Sequence, residues 1–192
     1  MRRKLKRHFQ FAKLVVAKET ELNARDHLWT FIGSFMGIAL IGFLNARFLN
    51  INDNIFLIGS FGASSVLIYG LVDSPLAQPR NFVGGHLLCG FVGVTVNYVV
   101  PELWLASGLA VSLSIVGMQI TKTLHPPGGA TALIAVIGSE RIKELGYFYL
   151  VSPILSGVLI LLIIALVVNN LSGHRRYPKN RNWYKIWKRR YV

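Results

Sequence analysis

Acidic residues are scarce in this chain: eight Asp and Glu stand against 21 Lys and Arg among 192 residues. No two carboxylates share an apolar segment, so the paired acid and base of a hydrolytic site has nowhere to form. Cysteine is scarcer still. Cys89 alone excludes an internal disulfide and a cysteine metal cluster, and in its apolar surroundings it reads as packing. No pair of histidines stands at metal-binding helical spacing. The glycine-rich stretches match neither a phosphate loop nor a dinucleotide fingerprint. No cleavable signal peptide is visible, because the first apolar run begins near Leu28 after a basic lead containing acids. These absences argue against an enzyme, and no cofactor or metal is implied.

What is present is apolar. Hydrophobic residues make up 53% of the chain and mean hydropathy is +0.47, values that place it in a membrane. The net charge of +13 sits at the ends. Residues 1–27 hold eight Lys/Arg and three acids, and residues 174–192 hold eight Lys/Arg and none, which leaves five of each sign between. Both ends are basic skirts on a neutral body. By the positive-inside rule both belong in the cytoplasm, which requires an even number of crossings. The tail Trp183-Tyr184-Lys185-Ile186-Trp187-Lys188-Arg189-Arg190-Tyr191 has the composition of a nucleic-acid binder. Its aromatic and basic residues follow soon after a long apolar run, however, and that favours a membrane interface and anionic lipid over nucleic acid.

Along the chain, residues 1–27 read as a basic leader, either a helix lying in the membrane surface or a partly disordered segment. A transmembrane domain covers 28–170, and 171–192 is the basic aromatic tail. Six hydrophobic segments fall at 28–44, 55–72, 82–100, 103–120, 123–138 and 147–168. The first is 17 residues, about 26 Å as a helix at 1.5 Å per residue. The second is interrupted near its start, the fifth is short, and Pro153 marks a kink in the sixth. Residues 139–146 read as a charged loop. The fold class is therefore an all-α polytopic membrane protein. Six crossings satisfy the charge rule, and so do four full spans plus two broken, re-entrant ones.

The second half turns on His125-Pro126-Pro127-Gly128-Gly129-Ala130-Thr131-Ala132. Two successive prolines cannot sit inside a helix, so Pro127 reads as a first-turn residue of a helix starting at membrane depth. A helix start suits an anion, though it can equally be a turn with no ligand. At an offset of 67, Gly62-Ala63-Ser64-Ser65 overlays Gly129-Ala130-Thr131-Ala132, and Leu87-Leu88-Cys89-Gly90 overlays Ile154-Leu155-Ser156-Gly157. Small residues match easily by chance, but an old duplication of about 28–100 and 103–170 explains both overlays. Three spans per unit would make the units face opposite ways, as in transporters with inverted repeats and broken helices. The candidate substrate site is then Ser60, Gly62, Ala63, Ser64 and Ser65 from one unit, with Pro127, Gly128, Gly129 and Thr131 from the other.

The stretches Ile58-Gly59-Ser60-Phe61-Gly62-Ala63-Ser64-Ser65, Ser74-Pro75-Leu76-Ala77-Gln78-Pro79-Arg80-Asn81 with Gly84-Gly85-His86, and the His-Pro-Pro stretch together resemble the HPP family of integral membrane proteins. The resemblance covers roughly residues 28–170. It implies nitrite transport, the role of plant chloroplast and cyanobacterial relatives. The helix-start reading supports a small inorganic anion without choosing nitrite over nitrate, formate or chloride.

His125 is either a proton-linked switch or a brace for the Pro-Pro turn. His86, an ionisable group in a span, belongs at a pore or between helices. Arg80 either draws anions to an entrance or fixes topology. Gln78 and Asn81 fit turn roles, and the hydroxyls can bond back to their own helices. The sequence thus points to an anion transporter or channel of the inner, plasma membrane, with lipid at its basic ends and homo-oligomerisation left open. The other reading is a scaffold or sensor subunit whose basic tails hold a cytoplasmic partner or anionic lipid.

Overall fold

A computed structural model describes residues 24–48 and 56–179; the leader to residue 23 and the tail from residue 180 lie outside the described residues. The elements are α1 (Ala24–Phe48), α2 (Gly59–Ser65) running on into a wide π turn (Val66–Gly70), α3 (Pro79–Val99), α4 (Leu103–Thr121), α5 (Pro126–Ile137), α6 (Glu140–Glu144) and α7 (Ser156–Leu171). A tight turn at Gly146–Leu150 and a wide one at Val151–Leu155 lead into α7. Among the described residues, four stretches are long and apolar enough to cross a bilayer: α1, α3, α4 and Gly146–Leu171. The remaining two, Gly59–Gly70 and Pro126–Ile137, have twelve residues each. At 1.5 Å per residue that is about 18 Å, short of a hydrocarbon core of about 30 Å. The protein is an all-α, multi-pass membrane protein.

Local chemistry sets the boundaries. α3 starts at Pro79, three residues before the apolar run, because a first-turn proline loses no hydrogen bond. Pro153 breaks the last span: Ser152, the residue before it, is pushed to φ −135° and ψ 118°. Residues 139–146, expected as a loop, instead hold α6, which Lys143 Nζ braces at 2.9 Å from Glu140 Oε1. α4 ends with Lys122 in the left-handed region at φ 57°. Its N–H donates to Gln119 O and the Thr123 N–H to Met118 O, a pair of bonds that closes off the last carbonyls.

End-to-end contacts fix the direction of every segment. At one face the start of α1 meets the end of α7, where Asp26 Oδ1 lies 2.8 Å from His174 Nε2 and 2.9 Å from Arg175 Nε. The end of the π turn arrives at that face too, since Tyr69 O accepts from Arg175 Nη1 at 3.0 Å. The start of α3 and the end of α4 are joined there by Arg80 Nη2 donating to Thr121 O at 3.0 Å. At the opposite face Phe56 N–H donates to Asn45 Oδ1 at 3.0 Å, tying the end of α1 to the approach to α2. Gly146 packs there under the Tyr98 hydroxyl near the end of α3. The first unit therefore runs long, short, long through α1, α2 and α3. The second repeats that order through α4, α5 and Gly146–Leu171 in the opposite sense. Gly59, Gly70 and Pro79 shift by 67 onto Pro126, Ile137 and Gly146, so the offset legible in the sequence is also the offset of the element boundaries.

Glycine lets α3 and α5 touch backbone to backbone. A Cβ on Gly93 would lie 2.5 Å from Ala132 O, and one on Gly85 would lie 2.7 Å from His125 Cβ. Small residues every four positions permit such approach in membranes, where van der Waals contact replaces the hydrophobic effect. The large side chains of α1 and α4, among them Phe31, Phe35, Phe43 and Trp104, point outward toward lipid.

Candidate functional site

α2 and α5 run in opposite directions and come together at Ser64, late in α2, and Thr131, midway along α5, against the first third of α3. His86 of α3, about 10 Å along that helix from Pro79 at 1.5 Å per residue, lies between them. Its Nε2 is 2.8 Å from Ser64 Oγ of α2, and its Nδ1 is 2.7 Å from Thr131 Oγ1 of α5. Ser64 and Thr131 occupy equivalent positions under the 67-residue offset. Two symmetry-related hydroxyls thus flank one imidazole. On its other side Ser64 Oγ is 2.9 Å from His125 Nε2, and His125 Nδ1 is 2.8 Å from Leu76 O. Ser64, His86, His125 and Thr131 are all fully buried.

Counting donors and acceptors gives the neutral chain one direction. Leu76 O can only accept, so His125 carries its proton on Nδ1 and offers a lone pair at Nε2. Ser64 donates its single hydrogen there, and so accepts from His86 Nε2–H. His86 Nδ1 is then an acceptor and takes the Thr131 hydroxyl hydrogen. Each donor has an acceptor, which is what burial among apolar groups demands. The ring of Phe82 is 5.4 Å from His86 and 5.2 Å from His125, and Phe61 closes the far side at 5.7 Å from His86. The two imidazoles are themselves 5.0 Å apart between centres. Tyr149 OH donates to Thr131 O at 3.2 Å and steadies α5 from the last span.

Other sequence candidates lie elsewhere. Gly62 and Ala63 face outward from α2. Gly129 has open space where a Cβ would be, whereas Pro127 is buried and Gly128 is pressed against Gly85 O. Ser60 is fully buried one turn before Ser64 on the same face of α2, and its Oγ has no hydrogen-bond partner in the protein. The Ser65 hydroxyl is also buried and unpartnered, but it lines a cleft of about 670 Å³ between α1 and α2 together with Thr30 and Ser34. Arg80 stays at the face, capping α4.

The start of α5 differs from a bare anion-binding helix end. A helix start leaves four amides without helical partners. Here His125 N–H meets Met118 Sδ at 3.4 Å, Pro126 and Pro127 carry no hydrogen, and Gly128 N–H donates to His125 O at 2.8 Å. That end offers a guest no spare N–H; the groups it supplies are the His125 ring and the Thr131 hydroxyl. Sequence reasoning missed Phe82, Phe61, Tyr149 and the Leu76 carbonyl. Phe82 stands one turn before His86, a spacing that signals a shared face. The Leu76 carbonyl had no signal at all.

Over residues 19–178 the sequence matches the family described as HPP, transmembrane region. Two Dictyostelium discoideum proteins, each named as a transmembrane protein, are similar to it. They are 47% and 49% identical over 154 residues, which is 78% of this chain and 49% and 54% of their own lengths. The chain spans about half the length of the curated relatives it matches. No solved structure matches it.

Proposed function

The chain belongs to the HPP transmembrane family, and from that premise we propose that it carries a small monovalent inorganic anion, nitrite first, across its membrane. The observation that carries this reading is Ser60 Oγ, a fully buried hydroxyl without a partner, one turn from Ser64 and the two imidazoles. A buried hydroxyl left unpaired costs about 1–3 kcal/mol, and a polar guest would recover that cost. Ser60 is the anion's hydrogen-bond donor in this reading, one turn from the Ser64–His86–Thr131 chain, with Gly128 keeping α5 close to α3. The family resemblance supplies nitrite. With both ends of the described chain at one face and basic residues there, that face is the cytoplasmic side of an inner, plasma membrane. An inside-negative potential opposes anion uptake by about 2.3 kcal/mol per 100 mV, so concentrative uptake needs a second ion.

Purified protein in liposomes tests this. Nitrite entry above that of empty liposomes is expected, with Ser60→Ala lowering it at least about ten-fold, the worth of one hydrogen bond to a charged group. Absence of flux for nitrite, nitrate, formate and chloride alike would overturn the reading.

A second reading has its own observation. His174, Arg175, Arg176 and Lys179 line a basin of about 680 Å³ at the α1-start face together with Asp26 and Asp73. The two acids pair with His174, Arg175 and Lys179, so Arg176 is the cation it presents to an acidic partner or lipid headgroup. Removing residues 180–192, which leaves Arg175 and its bonds in place, separates the two. Loss of cellular function with intact liposome flux favours the scaffold.

A further inference from the structure

We infer that His86 and His125 together hold one exchangeable proton, passed between them by the Ser64 hydroxyl, and that this proton accompanies the anion. Only the last clause rests on the transport reading; the proton site stands on geometry alone.

Adding a proton to the neutral chain requires little rearrangement. If it arrives on His86, that ring donates from Nε2 to Ser64 and from Nδ1 to Thr131. Ser64 still donates to His125, and only the Thr131 hydroxyl must turn. An acceptor is in place for it, since Pro127 O lies 3.4 Å from Thr131 Oγ1. Transfer then proceeds through atoms already aligned at 2.8 and 2.9 Å. The His86 Nε2–H bond breaks as that proton joins Ser64 Oγ, while the Ser64 O–H proton forms the new N–H bond at His125 Nε2. Ser64 ends with one hydrogen, now directed at His86. His86 is neutral with its proton on Nδ1, and His125 carries the positive charge and still donates to Leu76 O. Both charged states satisfy every donor.

The pair takes one proton, not two. Two imidazolium rings 5.0 Å apart would repel, and neither is hydrogen-bonded to a carboxylate. The groups facing them from each packed element are neutral or remote. α2 presents Phe61 and Ser60, α4 the Met118 sulfur, α3 Phe82 and Cys89, and the last span the Tyr149 hydroxyl on Thr131 O. Arg80 is at the face, bonded to Thr121 O. With the His86, Ser64 and Thr131 donors of the neutral chain turned on one another, a negative ion finds the Ser60 hydroxyl but no offsetting charge; with the proton present, it finds one. That fixes one proton per anion.

Full-length protein with ¹⁵N-labelled histidine, in bilayers of neutral lipid, tests the site without any substrate. At high pH the nitrogen shifts should report His86 protonated on Nε2 and His125 on Nδ1. On acidification the two rings should change over one shared pH interval, taking up one proton between them. Ser64→Ala should split that interval in two, and Ser64→Thr, which keeps the hydroxyl, should restore it. The wild-type measurement needs no variant and so survives a misfolded Ser64→Ala. The opposite tautomers, uptake of two protons, or independent titration in the wild type would overturn the shared proton. With the site intact, nitrite entry should carry one proton per ion. Nitrite entry without proton uptake would overturn the coupling, whereas a titrating pair without any anion flux would sink the transport reading and leave the proton site standing.

Discussion

Arg175 shows how much one side chain can hold in this protein. Its guanidinium reaches Asp26 Oδ1 and O, Thr30 Oγ1, Tyr69 O and Asn169 Oδ1, so it ties α1, the π turn and α7 together at one point. Tyr69 O also accepts from Thr30 Oγ1, and Ile68 O from Asn169 Nδ2 at 3.0 Å; these carbonyls end a wide turn where no further helix follows to bond them. Unbonded carbonyls at membrane depth are costly. Arg175→Ala should therefore destabilise the fold by roughly 1–3 kcal/mol, because it removes several bonds from the turn end and from α1 at once, while Asp26 keeps His174. Arg175→Lys should recover less than half, since an ammonium cannot fork to several acceptors. Thermal unfolding in detergent measures both. The sequence placed Arg175 in a generic basic tail, and nothing in the pattern of charges distinguishes this arginine from its neighbour Arg176.

Among elements, the α3–α5 contact matters most, because it sets the distance between His86 and Thr131. Gly93→Ala should cost roughly 1–3 kcal/mol, since the added methyl meets backbone at Ala132 that cannot step aside. Gly129→Ala faces open space in the same short helix and should be neutral or gain up to about 1 kcal/mol from helix propensity. Chemical or thermal unfolding of the two variants side by side checks the contrast, and equal effects would show that α3 and α5 do not pack as described. The glycines were legible as small faces, but which of them meets a neighbour was not. Gly93 and Gly129 look alike in sequence and differ only in what lies opposite. The Pro-Pro pair was equally two-sided. It marked a helix start correctly in the sequence, and the same two residues deprive that start of amide hydrogens.

For the whole molecule, opposed units predict which residues share a side. In a Cys89→Ala background, Arg176→Cys and Glu102→Cys should react with a membrane-impermeant maleimide from opposite sides of the membrane, and Glu140→Cys should follow Glu102→Cys. Labelling of residues 102 and 176 from the same side would contradict the inverted arrangement. That Asp26 and His174 meet at one face agrees with an even number of crossings, which the basic ends led one to expect. Whether the second and fifth segments are full-length was not readable, because hydropathy counts residues and does not see where a helix begins.

Composition was enough to specify a helical membrane protein, and two prolines and a 67-residue offset pointed to a break in each half. These are properties of local sequence: transfer free energy, missing amide hydrogens, repeated small residues. Only the tertiary structure decided that His86, with no counterpart in the other unit, stands between the two equivalent hydroxyls, and that Ser64 joins it to His125. A hydrogen-bonded chain across four separate segments depends on distances of a few tenths of an ångström between residues far apart in sequence, and no local pattern encodes those.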